Sequence, residues 1–83
     1  MEELETLLAR AQNDDLEAYG EIVQRFQDMA VGYARSILQD AHLAEDVAQE
    51  AFIEAYLNLS KVYGARAFPS WLRKIVLKFF ATA

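Results

Sequence analysis

The segment AHLAEDVAQEAFIEAYLNL, from Ala41 to Leu59, most constrains the fold because apolar residues recur along it at intervals of three and four. This spacing places side chains on one face of a helix that packs against a core. Asp40 precedes the segment and can cap such a helix with its carboxylate. We therefore predict a central helix whose inward residues are Leu43, Val47, Ala51, Phe52, Ala55, Tyr56 and Leu59.

A second stripe of the same helix combines acids, an amide and aliphatic side chains: Asp46, Gln49, Glu50, Ile53 and Leu57. A face used only for solubility would more often carry mixed Lys and Glu. Glu45 and Asp46, in the first turns, are partly explained by the positive end of the helix dipole. Ile53 and Leu57 have no such explanation, so the stripe is predicted to contact a partner.

The remaining segments predict an all-α fold, a small bundle of about four helices. A first helix is expected over residues 3–12, where Leu4, Leu7, Leu8 and Ala11 form an apolar stripe. From Leu16 to Leu38 the spacing is helical throughout, which permits either one long helix or two. We favour two helices with a break near residue 27, where Asp28 would cap the second.

Turn and cap signals complete the predicted bundle. Asp14 with Glu17 suggests a capping box, and Gly20 and Gly32 are expected to mark close helix contacts. Residues 60–67 contain Gly64 and predict the principal loop. A last helix is expected over residues 68–80, with Pro69 in its first turn and an inward stripe of Leu72, Ile75, Val76 and Phe79.

Several classes of protein lack support in the sequence. Cysteine is absent, His42 is the only histidine, and the three glycines are scattered, so neither a metal site, a nucleophile–base pair nor a phosphate loop is expected. We expect no enzyme activity and no cofactor. No apolar run approaches the roughly 18 residues of a membrane span, and the acidic N-terminus is unlike a secretory signal. The predicted location is cytoplasmic.

Charge is divided unevenly along the chain. Residues 1–60 hold all 13 acids against three bases, whereas residues 61–83 hold five bases and no acid. Such asymmetry suggests two partner surfaces, of which the basic one suits a polyanion. Attraction between the two parts within the fold is an equally good explanation at this point.

Two blocks, DAHLAEDVAQEAFIEAYLNL and AFPSWLRKIV, resemble region 2 of the sigma-70 family, particularly the extracytoplasmic-function (ECF) sigma factors. Residues 7–26 are similar to the opening helices of that family. The resemblance implies that Asp46, Gln49, Glu50, Ile53 and Leu57 bind the clamp coiled coil of RNA polymerase. It also implies that the basic third binds the minus-ten promoter element, mainly as a single strand, through Lys61, Tyr63, Arg66, Trp71, Arg73, Lys74 and Lys78. Trp71 is expected to pack in the core in preference to stacking on a base.

Two departures from the family pattern qualify the promoter function. Leu77 and Lys78 stand where the family often has Arg-Asn, and Pro69 replaces a commonly polar residue. Residues 1–83 are accordingly interpreted as a single region 2 domain, a fragment lacking the C-terminal region 4 domain, with an anti-sigma factor as a possible further partner. The alternative is a sigma-like helical protein-interaction adaptor without promoter recognition.

Overall fold

The computed structural model describes residues 2–81, which form four α-helices and one short 3₁₀ turn and contain no strand. The helices are α1 (Leu4–Gln12), α2 (Leu16–Leu38), α3 (Ala41–Leu57) and α4 (Phe68–Ala81), with the 3₁₀ turn at Leu59–Lys61. The prediction of an all-α bundle of about four helices is confirmed. No helix in this range is both long and apolar enough to cross a bilayer.

The predicted helix α3 packs against both α2 and α4, whereas α2 is the helix that contacts all three others. Its buried face consists of Phe52 and four alanines, Ala44, Ala48, Ala51 and Ala55. Small side chains at a helix contact shorten the distance between helix axes. The larger core residues therefore come mainly from the other elements, and those that are fully buried are Leu7, Ile22, Phe68, Leu72 and Val76.

The start of α3 is capped as predicted. One carboxylate oxygen of Asp40 accepts hydrogen bonds from the backbone N–H groups of His42, at 3.0 Å, and Leu43, at 3.1 Å. These two groups have no partner within the helix, so the cap stabilises the start of α3 by about 1 kcal/mol. Gln39 precedes the cap in the left-handed conformation, with φ of 57°, and separates α3 from α2.

The predicted break of α2 near residue 27 is wrong. The helix is continuous from Leu16 to Leu38, and Asp28 is an exposed residue in its interior rather than a cap. Phe26 and Met29, on either side of the supposed break, both pack against the core. Continuous burial along one face outweighs the weak helix preference of a single Asp.

The cap of α2 lies one residue later than predicted. Asp15, not Asp14, accepts a hydrogen bond from the backbone N–H of Ala18, at 3.2 Å. Asp14 occupies the left-handed region with φ of 68°, which reverses the chain between α1 and α2. The guanidinium of Arg10 donates to Asp15 at 2.9 Å and thereby lowers the pKa of that carboxyl. Arg10 thus joins the end of α1 to the start of α2.

The predicted role of two glycines is also wrong. A Cβ atom built at Gly20 or Gly32 would meet nothing within 4 Å, so neither residue marks a close contact. By contrast, α4 begins at Phe68 with Pro69 in its first turn, and Leu72, Ile75 and Val76 are buried as predicted. The central helix ends at Leu57, two residues earlier than predicted, and the 3₁₀ turn at Leu59–Lys61 takes up the end of that helix and the start of the predicted loop, residues 60–67.

Tyr19 makes a buried polar contact between α2 and α3. Its hydroxyl donates a hydrogen bond to the backbone carbonyl of Phe52, and its ring lies 5.0 Å from that of Tyr56, centroid to centroid. Burial, with a smaller contribution from Tyr56, raises the pKa of the Tyr19 phenol well above its ordinary value.

This shift predicts a stability loss at high pH that depends on Tyr19. The folded-state pKa is raised, so the contribution of Tyr19 is fully present below the unfolded pKa of about 10 and is lost as the pH rises toward the folded value. Urea unfolding should give a constant difference in unfolding free energy between the wild type and Tyr19→Phe from about pH 7 to 9, because this range lies below the unfolded pKa. Above this range the wild type should lose stability relative to the variant. If the unfolding free energies of the two proteins still differed by the same amount at about pH 11, the raised pKa of Tyr19 would be contradicted.

Candidate functional site

Four predicted partner-binding residues lie on the side of α3 that faces away from the core. Asp46, Glu50, Ile53 and Leu57 are all exposed, and the exposed fractions of Ile53 and Leu57 are 57% and 74%. At about 3.6 residues per turn, their intervals of four, three and four align them along the helix axis. This is the spacing of a coiled-coil seam.

Leu43 extends this line, although the sequence predicted that it would face the core. Its side chain is 52% exposed, and it precedes Asp46 by three residues. The prediction was wrong because a leucine near the start of a helix fits the spacing of either face, and only the packing of α2 and α4 decides between them. We refer to Leu43, Asp46, Glu50, Ile53 and Leu57 as the α3 stripe.

Gln49 occupies a different position from the α3 stripe. It is exposed, but it lines a groove between α2 and α3 together with Asp28, Glu45 and Phe52. The structure therefore places four of the five predicted residues in one row and Gln49 beside it. A partner that touched all five would have to extend from the stripe toward α2.

Helix stability does not account for the acids of the stripe. The first turn of α3 contains no acidic residue, and Glu45 and Asp46 lie in the second turn. The dipole effect falls off within the first turn, so the explanation offered from the sequence is wrong in its main point. Neither Asp46 nor Glu50 forms an ion pair with any residue that the structure describes. Both carboxylates are thus available to a partner.

The basic and aromatic residues predicted to bind nucleic acid are divided between a cleft and the surface around it. Lys61, Trp71 and Lys78 line one cleft between the end of α3, the 3₁₀ turn and α4. Glu54, Asn58 and Ile75 complete its lining. The other predicted residues lie outside the cleft: Tyr63, Arg66, Arg73 and Lys74.

Two aromatic residues of this region differ in exposure. Tyr63 is 97% exposed, so both faces of its ring are open to solvent. Trp71 is half-buried and packs at 5.9 Å, centroid to centroid, on the fully buried ring of Phe68. Trp71 therefore belongs partly to the core while also lining the cleft, whereas Tyr63 is the aromatic ring that is free to stack.

One basic residue of the C-terminal part forms an ion pair with the acidic part of the chain. Lys78 forms an ion pair of 2.5 Å with Glu54, a half-buried residue of α3. Within the described range, Lys61, Arg66, Arg73 and Lys74 form no ion pair. Four of the five bases of residues 61–83 remain available, which favours the interpretation of this region as a surface for a polyanion.

Sequence reasoning missed Asn58, which lines the cleft beside Lys61. Its side-chain amide donates to the backbone carbonyl of Glu54 at 2.9 Å, and this bond orients it at the end of α3. No clear signal for it was present in the sequence, because Asn58 lies within the predicted span of the central helix and becomes the residue after α3 only in the structure. His42 is exposed at the start of α3, and no group of three or more potential metal ligands occurs among residues 2–81.

Comparisons with known proteins agree on one family. The family model described as Sigma-70 region 2 matches residues 22–80. The RNA polymerase sigma-H factor of Pseudomonas aeruginosa is 38% identical over 76 residues, which cover 92% of this chain and 39% of that protein. The ECF RNA polymerase sigma factor SigW of Bacillus subtilis is 35% identical over 68 residues, covering 82% and 36%.

A third relative, the ECF RNA polymerase sigma-E factor of Escherichia coli, is 33% identical over 73 residues, covering 88% of this chain and 38% of that protein. The chain thus spans less than two fifths of the length of these relatives. No solved structure gives a significant match.

The geometry predicts that the α3 stripe contributes little to folding. Replacing both Ile53 and Leu57 with Gln should change the unfolding free energy by less than about 1 kcal/mol, because exposed substitutions cost at most ~0.5 kcal/mol each. Phe52→Ala, on the opposite side of the same helix, should cost about 3–5 kcal/mol. Urea unfolding followed by circular dichroism measures both, and a large loss in the double variant would place those side chains in the core.

Proposed function

This chain belongs to the sigma-70 region 2 family, and we propose that it is a transcription-initiation module of an alternative sigma factor. In this proposal, the α3 stripe binds RNA polymerase core, and the basic residues bind the minus-ten promoter element. The relatives that it matches are named as RNA polymerase sigma factors. The proposed role is non-enzymatic and requires no cofactor.

The observation that carries this proposal is the α3 stripe. Three aliphatic side chains are exposed in line with two carboxylates that form no ion pair within residues 2–81, on the side of α3 opposite its alanines. A helical partner with Arg or Lys beside an apolar seam would satisfy both features, since carboxylates form charge-assisted hydrogen bonds with such cations. The clamp coiled coil of RNA polymerase, a basic helical hairpin in the family pattern, is the proposed partner.

The second surface suits single-stranded DNA. Lys61, Arg66, Arg73 and Lys74 can contact phosphates, because they form no ion pair within the described part of the chain. Tyr63 can stack on an unpaired base, an interaction that contributes about 1–3 kcal/mol. Promoter melting would supply that unpaired base.

The Glu54–Lys78 ion pair favours a second candidate, a sigma-like adaptor that binds proteins without recognising a promoter. Lys78, in the last turn of α4, is already engaged within the domain and is therefore less available to DNA. An adaptor would bind a helical partner or a second copy through the α3 stripe. Light scattering that showed a tight dimer, together with no affinity for polymerase core, would favour it.

Regulation and location follow from the same proposal. A partner that covered both surfaces would prevent polymerase and promoter binding together, so an anti-sigma factor is the expected regulator. The expected place of action is the cytoplasm, because polymerase and promoters lie there.

Charge reversal in the α3 stripe should abolish polymerase binding. Asp46→Arg combined with Glu50→Arg should weaken binding to RNA polymerase core by at least about a hundredfold, because each attractive charge pair becomes repulsive. Interferometry with immobilised core enzyme measures the affinity. The control, Glu5→Arg with Glu17→Arg, makes the same charge change at exposed positions of α1 and α2 and should bind like the wild type. Equal affinities of the stripe variant and the wild type would refute the polymerase proposal.

Removing two cations of α4 should reduce both the affinity for single-stranded DNA and its dependence on salt. If Arg73 and Lys74 contact phosphates, then Arg73→Gln with Lys74→Gln should flatten the slope of log affinity against log salt by about 1.4. Fluorescence anisotropy with a short promoter-like strand at several salt concentrations measures the slope. Arg25→Gln with Arg35→Gln removes the same charge from α2 and should leave the slope unchanged. Identical slopes for all three proteins would show that Arg73 and Lys74 do not contact the DNA.

A further inference from the structure

Gln12, the last residue of α1, connects that helix to the segment just after α3. Its Nε2 atom donates hydrogen bonds to the backbone carbonyl oxygens of Leu59, at 3.0 Å, and Val62, at 3.2 Å. These acceptors lie 47 and 50 residues away in the sequence. One side-chain amide therefore ties the N-terminal helix to both ends of a four-residue segment.

The segment that Gln12 holds carries two of the proposed nucleic-acid contacts. The side chains of Leu59 and Val62 are each only 4% exposed and pack in the core. Lys61 lies between them and Tyr63 follows Val62, and both of these side chains project into solvent. Fixing the carbonyls at 59 and 62 therefore fixes the backbone from which Lys61 and Tyr63 extend.

The backbone hydrogen bonds of this segment are all local. Lys61 N–H donates to the Asn58 carbonyl at 2.9 Å, and Ala67 N–H donates to the Gly64 carbonyl at 3.2 Å. The hydrogen bond from Val62 N–H to the Leu59 carbonyl is long, at 3.3 Å, and Gly64 follows with a positive φ of 122°. Among the residues that the structure describes, Gln12 provides the only side-chain hydrogen bonds to the backbone of residues 59–66. Without them, the segment would keep its local turn bonds and the burial of Leu59 and Val62, but it would lose its side-chain hydrogen bonds to α1.

We propose that Gln12 is a positioning residue for nucleic-acid binding, which presents Tyr63, and with it Lys61, to a single strand. This inference rests on the nucleic-acid part of the proposed function. Its physical basis is preorganisation, since a segment that is already ordered loses less conformational entropy when it binds a ligand. Gln12 would never touch the DNA, and its effect would pass through Tyr63.

The test uses Gln12→Met, which keeps the length of the side chain and its neutrality but removes both donors. Anisotropy with a short, A/T-rich single-stranded DNA at low salt should show an affinity about three- to tenfold weaker, the equivalent of about one hydrogen bond. Gln24→Met is the matched control, because Gln24 is exposed on α2 and makes no side-chain hydrogen bond in the described range. The control should bind DNA like the wild type.

A double-mutant cycle separates positioning from a general effect on the fold. In a Tyr63→Ala background, Gln12→Met should weaken DNA binding by no more than about twofold, because the group that it positions is absent. Amide hydrogen exchange at Tyr63 and Gly64 should be faster in Gln12→Met than in Gln24→Met, while affinity for polymerase core stays unchanged.

The outcomes that overturn the inference are distinct from those that overturn the proposed function. The same loss from Gln12→Met with and without Tyr63, or no loss at all, refutes the positioning role alone. A wild-type chain that fails to bind single-stranded DNA at low salt refutes the nucleic-acid part of the proposed function and this inference with it.

Discussion

Packing of the alanine face of α3 against its neighbouring helices is the interaction on which the other features depend. Ala44, Ala51 and Ala55 are completely buried, and Ala48 nearly so, which leaves α2 and α4 close to the axis of α3. Because small residues satisfy this contact, the bulky aliphatics of the same helix are not needed in the core. Ile53 and Leu57 remain exposed on the opposite side, where they can contribute to binding instead of folding.

Two side-chain hydrogen bonds join elements that the packing of α3 does not hold in place by itself. Tyr19 bonds to the Phe52 carbonyl between α2 and α3, and Gln12 bonds to the segment after α3. No buried side-chain nitrogen or oxygen in the described range lacks a hydrogen-bond partner. Each contact joins residues that are distant in the sequence, so it fixes the relative positions of elements that local structure does not determine.

The two proposed binding surfaces both originate on α3. Leu57 ends the α3 stripe, while Glu54 and Asn58, in the adjacent turns, line the basic cleft. The Glu54–Lys78 pair crosses the boundary between the acidic and basic parts of the chain and attaches α4 to α3. Among residues 2–81, this is the one ion pair between the acidic and basic parts of the chain, so most of the charges on the two proposed surfaces are not neutralised by each other.

The sequence by itself determined which segments are helical, the cap at Asp40, the buried side of α4 and the resemblance to the family. These features depend on local spacing, local hydrogen bonds and short motifs. Tertiary structure decided what local spacing leaves open: the continuity of α2 through Asp28, the outward position of Leu43 and the link from Gln12 to Val62. The physical reason is that burial along a helix and hydrogen bonds between distant residues depend on which neighbours are present. Helical periodicity identifies residues that share a face but does not specify what that face contacts.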